Sequence, residues 1–164
     1  MFLCVISCNG DSMKIKLFLF NLTLTLGAYG IIQILLPNMS SIYSHLSLPI
    51  FAPSYFFIPI IWMLLSILIG TAGYLLMIQP YLKRQHIIKV YLIQLCLLFL
   101  YPFIFFTLEA YLLAFLWSLS LWCITFYLLY ELYEINEIAS RLLIPYLLWL
   151  TFMCILTICI YYLN

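Results

Sequence analysis

The side chains able to do chemistry in this chain are few, and most lie at its edges. His45 and His86 sit in connecting segments that would face opposite sides of a membrane, which rules out a bis-histidine haem. Glu131, Glu134 and Glu137 recur at i, i+3 and i+6, the pattern of a solvated helix end, with no His or Cys beside them to suggest a metal. The six cysteines form no CxxC and mostly fall inside apolar runs, where they act as small hydrophobes. What remains is aromatic. Trp62 and Trp149 each stand deep inside a predicted span, about 10 Å below the outer end of the second and about 12 Å above the inner end of the fifth at 1.5 Å per residue. Interfacial tryptophans sit nearer the membrane surface than that. Two indoles near mid-depth either fill a bundle core or border a space for an apolar ligand.

The elements that must position them follow from the distribution of charge. Of 164 residues 68% are hydrophobic and 7% charged, with a mean hydropathy of +1.23. A soluble domain has roughly 25% charged residues. No Asp, Glu, Lys or Arg occurs between Lys16 and Lys83, Lys89 and Glu109, Glu109 and Glu131, or after Arg141. A spanning helix needs about 20 apolar residues. The last three gaps hold one span each, and the first holds two, around the polar segment from Pro37 to Pro49. The spacing predicts an all-α membrane protein, a bundle of five transmembrane helices over 17–36, 55–78, 90–107, 110–130 and 142–162. Residues 17–164 form one domain. Residues 1–16 read as a short tail, of which 1–12 are either an artefact of the start site, Met13 making the better beginning, or a disordered tail.

An odd number of spans puts Lys14, Lys16, Lys83, Arg84, Lys89 and Arg141 on one side, which is every Lys and Arg in the protein. Cytoplasmic segments retain such cations, so the N-terminus is expected inside and the C-terminus outside. A net charge of +1 gives no footprint for nucleic acid; the partner is the lipid bilayer. The spans contain no ionisable residue of the kind that proton relays and ion-coupled transport use. That leaves ligand binding, passive exchange of a lipophilic solute, or a non-catalytic scaffold.

Helical spacing selects the inward faces. Trp62, Ser66, Gly70 and Gly73 share one stripe, and small residues there let helix backbones approach. Gln94, Leu98, Tyr101 and Phe105 share another, as do Ser118, Trp122 and Thr125, and Pro145, Trp149, Phe152 and Leu156. The first span offers Thr23, Gly27 and Gly30. Pro102 should kink the third span and free a carbonyl. The apolar, proline-bounded loop 37–54 is expected to lie over the bundle as a lid.

Three blocks in order resemble the TspO/MBR family, the tryptophan-rich sensory proteins related to the mitochondrial translocator protein. They are "FAPSYFFIPIIWMLLSILIGTAGYLL" with Pro53, Pro59, Trp62, Gly70 and Tyr74; "YLIQLCLLFLYPFIFF" with Gln94, Leu95, Pro102, Phe105 and Phe106; and "RLLIPYLLWLTF" with Pro145, Tyr146 and Trp149. The resemblance implies a five-helix bundle with an apolar pocket capped by the first loop, taking tetrapyrroles such as protoporphyrin IX as ligand or substrate with no permanently bound cofactor. Carried over by motif, Trp62 and Trp149 are the pocket tryptophans and the candidates for light-dependent, oxidative porphyrin degradation. Tyr101, Phe57, Phe152, Pro53, Ser66, Leu98 and Tyr146 are the further binding candidates. Bacterial members place the chain in the inner (cytoplasmic) membrane, and a homodimer is possible, although Val90–Thr107 lacks the small residues of the family's third-helix motif. The chain departs from the family pattern at several pocket positions. Ser66 stands for a Tyr, Leu98 for an Asn, Tyr101 for a Trp, Trp117 for an Asp, Met153 for an Ala and Thr157 for an Asn.

Overall fold

The computed structural model describes residues 2–79 and 84–164; Lys83, used above to orient the chain, lies outside them. The elements run α1 (Phe2–Leu35), α2 (Met39–His45), α3 (Phe57–Ile78), α4 (Arg84–Pro102) continuing into a π turn (Phe103–Thr107), α5 (Tyr111–Ile135) and α6 (Glu137–Leu163). Five helices among the described residues are long and apolar enough to cross a membrane, over Ser12–Leu35, Phe57–Ile78, Gln85–Thr107, Tyr111–Ile135 and Glu137–Leu163. The five-helix bundle expected from the charge gaps is therefore present. α1 begins at Phe2, so residues 2–16, read from the sequence as a tail, continue the first helix.

α5 and α6 form the most intimate pair, joined through Asn136 alone, an extended residue (φ −155°, ψ 101°) whose side chain caps α6 by accepting from the Ala139 N–H at 3.0 Å. Ala114, Ser118, Leu121, Thr125, Leu128 and Leu132 make one buried stripe on α5. Opposite them, Leu143, Tyr146, Leu150, Met153 and Ile160 are buried on α6. Side-chain hydroxyls supply the glue that lipid does not provide. Ser140 Oγ donates to the Leu129 carbonyl at 2.9 Å, and the Trp122 indole donates to Thr151 Oγ1 at 2.8 Å. Replacing the cap, Asn136→Ala, is expected to lower stability by about 1 kcal/mol, read as a lower unfolding midpoint in detergent with no change in helix content at low temperature.

The second close pair is α1 with α3. Gly70 makes it possible: a Cβ there would lie 2.7 Å from Thr25 Oγ1, 3.2 Å from the Asn21 carbonyl oxygen and 3.3 Å from Leu22 Cα. Asn21 is fully buried, donating to the Leu17 carbonyl at 2.9 Å and to Met77 Sδ at 3.3 Å. Gly73, three residues on, receives a different helix, the ring of Tyr91 from α4. The Tyr91 hydroxyl passes over it to donate to the Ile69 carbonyl at 3.2 Å. The small-residue stripe of α3 thus faces protein as its spacing predicts, and serves two neighbours.

Two inward faces differ from the sequence reading. Thr23 is exposed, and Gly27 and Gly30 meet open space; α1 packs instead through Asn21, Thr25 and Ile32. A buried polar residue that finds partners fixes the rotation of a helix more strongly than a glycine, which only permits approach. Pro145 is also exposed rather than inward, since the α6 stripe runs through Tyr146.

α3 further packs on α6, and α4 on α5, so the chain of close neighbours is α1–α3–α6–α5–α4. α1 and α4 close the ring only loosely. At Pro102 the missing N–H interrupts the helical ladder, and the backbone widens into a π turn in which the Leu108 N–H reaches back five residues to the Phe103 carbonyl at 3.1 Å. Nearby, the Trp117 indole donates to the Leu97 carbonyl at 2.8 Å. The turn into α5 is tight enough to hold Glu109 at φ 49°, a left-handed conformation for a residue with a side chain.

Candidate functional site

The loose seam between α1 and α4 encloses a cavity of about 500 Å³, within the size range of small-molecule sites. Its walls come from four spans and the lid. α3 gives Pro59, Trp62, Ser66 and Ile69; α4 gives Leu98 and Tyr101 among others, and the π turn after it Phe105; α6 gives Met153, Leu156 and Thr157; α1 gives Thr25, Tyr29 and Ile32. Among the described residues no charged one lines it.

The end of the cavity next to the first loop is covered. α2 lays Met39 and Tyr43 over it, and both are buried. The Tyr43 hydroxyl donates to the Pro53 carbonyl at 2.9 Å, which folds the loop across itself. Burial raises the Tyr43 pKa above the ordinary phenol value, so it remains the donor that this bond requires. A second tie holds the loop to the far end of the chain. Asn164 accepts from the Ser47 N–H at 2.9 Å and donates to the Ser47 carbonyl at 3.1 Å, as a neighbouring strand would. The lid expected from the apolar, proline-rich loop is thus a short helix plus a clasped segment. Asn164→Ala should loosen it, raising proteolytic cleavage of the 46–54 segment several-fold while leaving helix content unchanged.

Most hydroxyls in the wall, Tyr55 apart, spend their hydrogens on the protein. Tyr29 donates to the Pro59 carbonyl at 3.1 Å and Ser66 to the Trp62 carbonyl at 2.8 Å. Thr157 Oγ1 donates to the Met153 carbonyl at 2.7 Å. Its only hydrogen being committed, the 2.9 Å bond to Tyr101 must run from the tyrosine hydroxyl to Thr157. Two departures from the family pattern, Tyr101 and Thr157, therefore complete one another across α4 and α6. The interior surface left for a ligand is apolar and aromatic, so recognition rests on shape, burial and ring contacts.

The candidates divide into three groups. Trp62, Ser66, Leu98 and Tyr101 line the cavity. Trp149, Tyr146 and Phe152 stand behind the first of these: Trp149 meets Trp62 edge-on with ring centres 6.3 Å apart, Tyr146 meets it at 6.5 Å, and Phe152 stacks on Trp149 at 5.2 Å. Phe152 also touches the lid through Phe51. Pro53 acts through its carbonyl in the lid, and Phe57 is 55% exposed, away from the cavity wall and against Phe56. Tyr146 is buried, with the buried polar residues Gln94 and Thr125 near its hydroxyl where α4, α5 and α6 meet. Sequence reasoning missed Tyr29, Met39 and Tyr43 as wall residues. Their signal was present only as an i, i+4 repeat, Tyr29 to Gln33 and Met39 to Tyr43, in segments not compared with the tryptophan stripes.

Fold and site together define a class: an integral membrane protein with an uncharged aromatic cavity enclosed by its helices beneath a lid. The profile of the TspO/MBR family matches residues 18–163, nearly the whole chain. This protein is a member of the TspO/MBR family. No individually curated protein matches it.

Proposed function

We propose that this protein is a membrane receptor for flat, conjugated, largely apolar ligands of the tetrapyrrole class, with protoporphyrin IX as the test ligand. The observation that carries the reading is the uncharged cavity of about 500 Å³ walled by Trp62, Tyr101 and Phe105 beneath a clasped lid. A flat ring system placed there gains about 25 cal/mol for each Å² of apolar surface buried, and the surrounding rings orient it. Lys14, Lys16, Lys89 and Arg141 at one end of the bundle support an orientation with the N-terminus inside and the C-terminus outside, and family membership is the ground for proposing a bacterial inner membrane.

The test is a dark titration of the purified protein in detergent with protoporphyrin IX, following tryptophan emission. Saturable quenching that Trp62→Phe reduces supports the receptor reading; linear, unsaturable quenching refutes it. The edge-on contact between Trp62 and Trp149 favours a second activity at the same site. In it, light-excited porphyrin passes its energy to molecular oxygen, which adds across a ring carbon–carbon double bond; that bond breaks, both oxygen atoms remain as carbonyls in the opened ring, and the indole pair holds the porphyrin in place for the addition. Under illumination the Soret band should then decline with wild-type protein and persist with Trp149→Phe. Equal decline in both would remove the tryptophan from that chemistry.

A further inference from the structure

The cavity has a closed end and an open side. At the lid, the Tyr43–Pro53 and Asn164–Ser47 bonds tie the loop across its mouth. On α4 the lining does not stop at the face that looks into the bundle. Successive helical residues turn by about 100°, so the directions of Tyr101, Leu98, Leu92 and Leu100, which all line the cavity, span well over half of the α4 circumference. Tyr101 is buried, whereas Leu92 is 42% and Leu100 43% exposed. The cavity therefore continues around α4 to the outer surface of the bundle. On the facing helix it is bordered by Leu24 and the small Ala28 of α1. Among the described residues this is the adjacent pair in the ring that packs most loosely, and the lining there carries no charge.

We infer that the cavity opens sideways into the bilayer between α1 and α4, and that a phospholipid acyl chain enters this opening and reaches Trp62. The occupant follows from position and chemistry. The opening lies within two spans, Ser12–Leu35 and Gln85–Thr107, whose outer faces are apolar. The surrounding medium there is hydrocarbon, and an apolar side opening presents nothing to repel it. A ligand of the cavity then displaces a lipid tail and arrives dissolved in the membrane, past α1 and α4, rather than from water past the lid. This holds whichever ligand the cavity takes.

The test needs no such ligand. The protein is reconstituted in phosphatidylcholine vesicles whose acyl chains carry bromine near mid-chain, a contact quencher of indole emission, and in matched vesicles without bromine. A variant with Trp117, Trp122 and Trp149 each changed to Phe leaves Trp62 as the single tryptophan. Bromination should lower its emission at least twofold, although Trp62 belongs to the interior of the bundle. Ala28→Phe, which fills the α1 side of the opening, should restore most of that emission. If the triple variant does not fold, the difference in quenching between the wild-type protein and Trp62→Phe gives the same quantity. Emission of Trp62 that is indifferent to bromination overturns the inference, and so does quenching that Ala28→Phe leaves unchanged.

Discussion

Gly70→Leu is expected to cost about 3 kcal/mol, more than a hundredfold in the ratio of folded to unfolded protein. The position has no slack on its far side. A Cβ already comes within 3.2 Å of the Asn21 carbonyl oxygen and 3.3 Å of Leu22 Cα, and backbone cannot rotate away. The Thr25 hydroxyl, at 2.7 Å, can turn, so Gly70→Ala should be the milder change, about 1 kcal/mol. A leucine must instead push α1 from α3 and break the contacts of the buried Asn21. Gly27→Leu supplies the contrast, because nothing lies within 4 Å of a Cβ there. Thermal unfolding in detergent should show a large drop for Gly70→Leu, a small one for Gly70→Ala and none for Gly27→Leu. Equal midpoints for Gly70→Leu and Gly27→Leu would mean that α1 does not pack where described.

Trp62→Ala should weaken protoporphyrin binding about a hundredfold, since it removes the largest ring from the wall and enlarges the space a ligand has to fill. Trp149→Ala should act less strongly, about tenfold, because Trp149 holds the edge of Trp62 from behind rather than lining the cavity. Trp62→Phe, which keeps a ring in the wall, should fall between wild type and Trp62→Ala. Affinities are best read from porphyrin fluorescence, which does not depend on the tryptophans being changed. If Trp149→Ala proves the more damaging of the two, the ligand lies on the other face of the indole pair and not in the cavity beside α1.

The number and order of the spans were legible because intramembrane charge is costly, and its absence marks each span without reference to the rest of the chain. The facing stripe of α3 was legible for a related reason: Ser66, Gly70 and Gly73 at helical spacing have little use against lipid. The rotation of α1 was not. Its glycines suggested one face, but Asn21 and Thr25 chose another by finding partners on α3 and within their own helix. The partner on α3, Met77, is distant in sequence. The same distance hid the division of labour between the tryptophans. Helix spacing and depth brought Trp62 and Trp149 together correctly, whereas which of them meets the cavity depends on α6 lying beside α3 and α1 lying loosely beside α4. Helix order around a ring is a property of the assembled bundle. The Tyr101–Thr157 pair shows the limit from another side: each residue read alone was a departure from the family pattern, and only their 2.9 Å contact makes them one feature.

The loose closure between α1 and α4 also gives the fold an unfinished contact that a guest molecule completes. Whatever binds the native cavity and not the unfolded chain shifts the folding equilibrium by mass action, by about 2.7 kcal/mol when its concentration is a hundred times its dissociation constant. Because that gain falls at the least consolidated joint of the bundle, heating should part α1 from α4 early in the empty protein and late in the filled one. Ligands of this protein would thus announce themselves as a rise in melting temperature, including colourless ones that leave no optical trace.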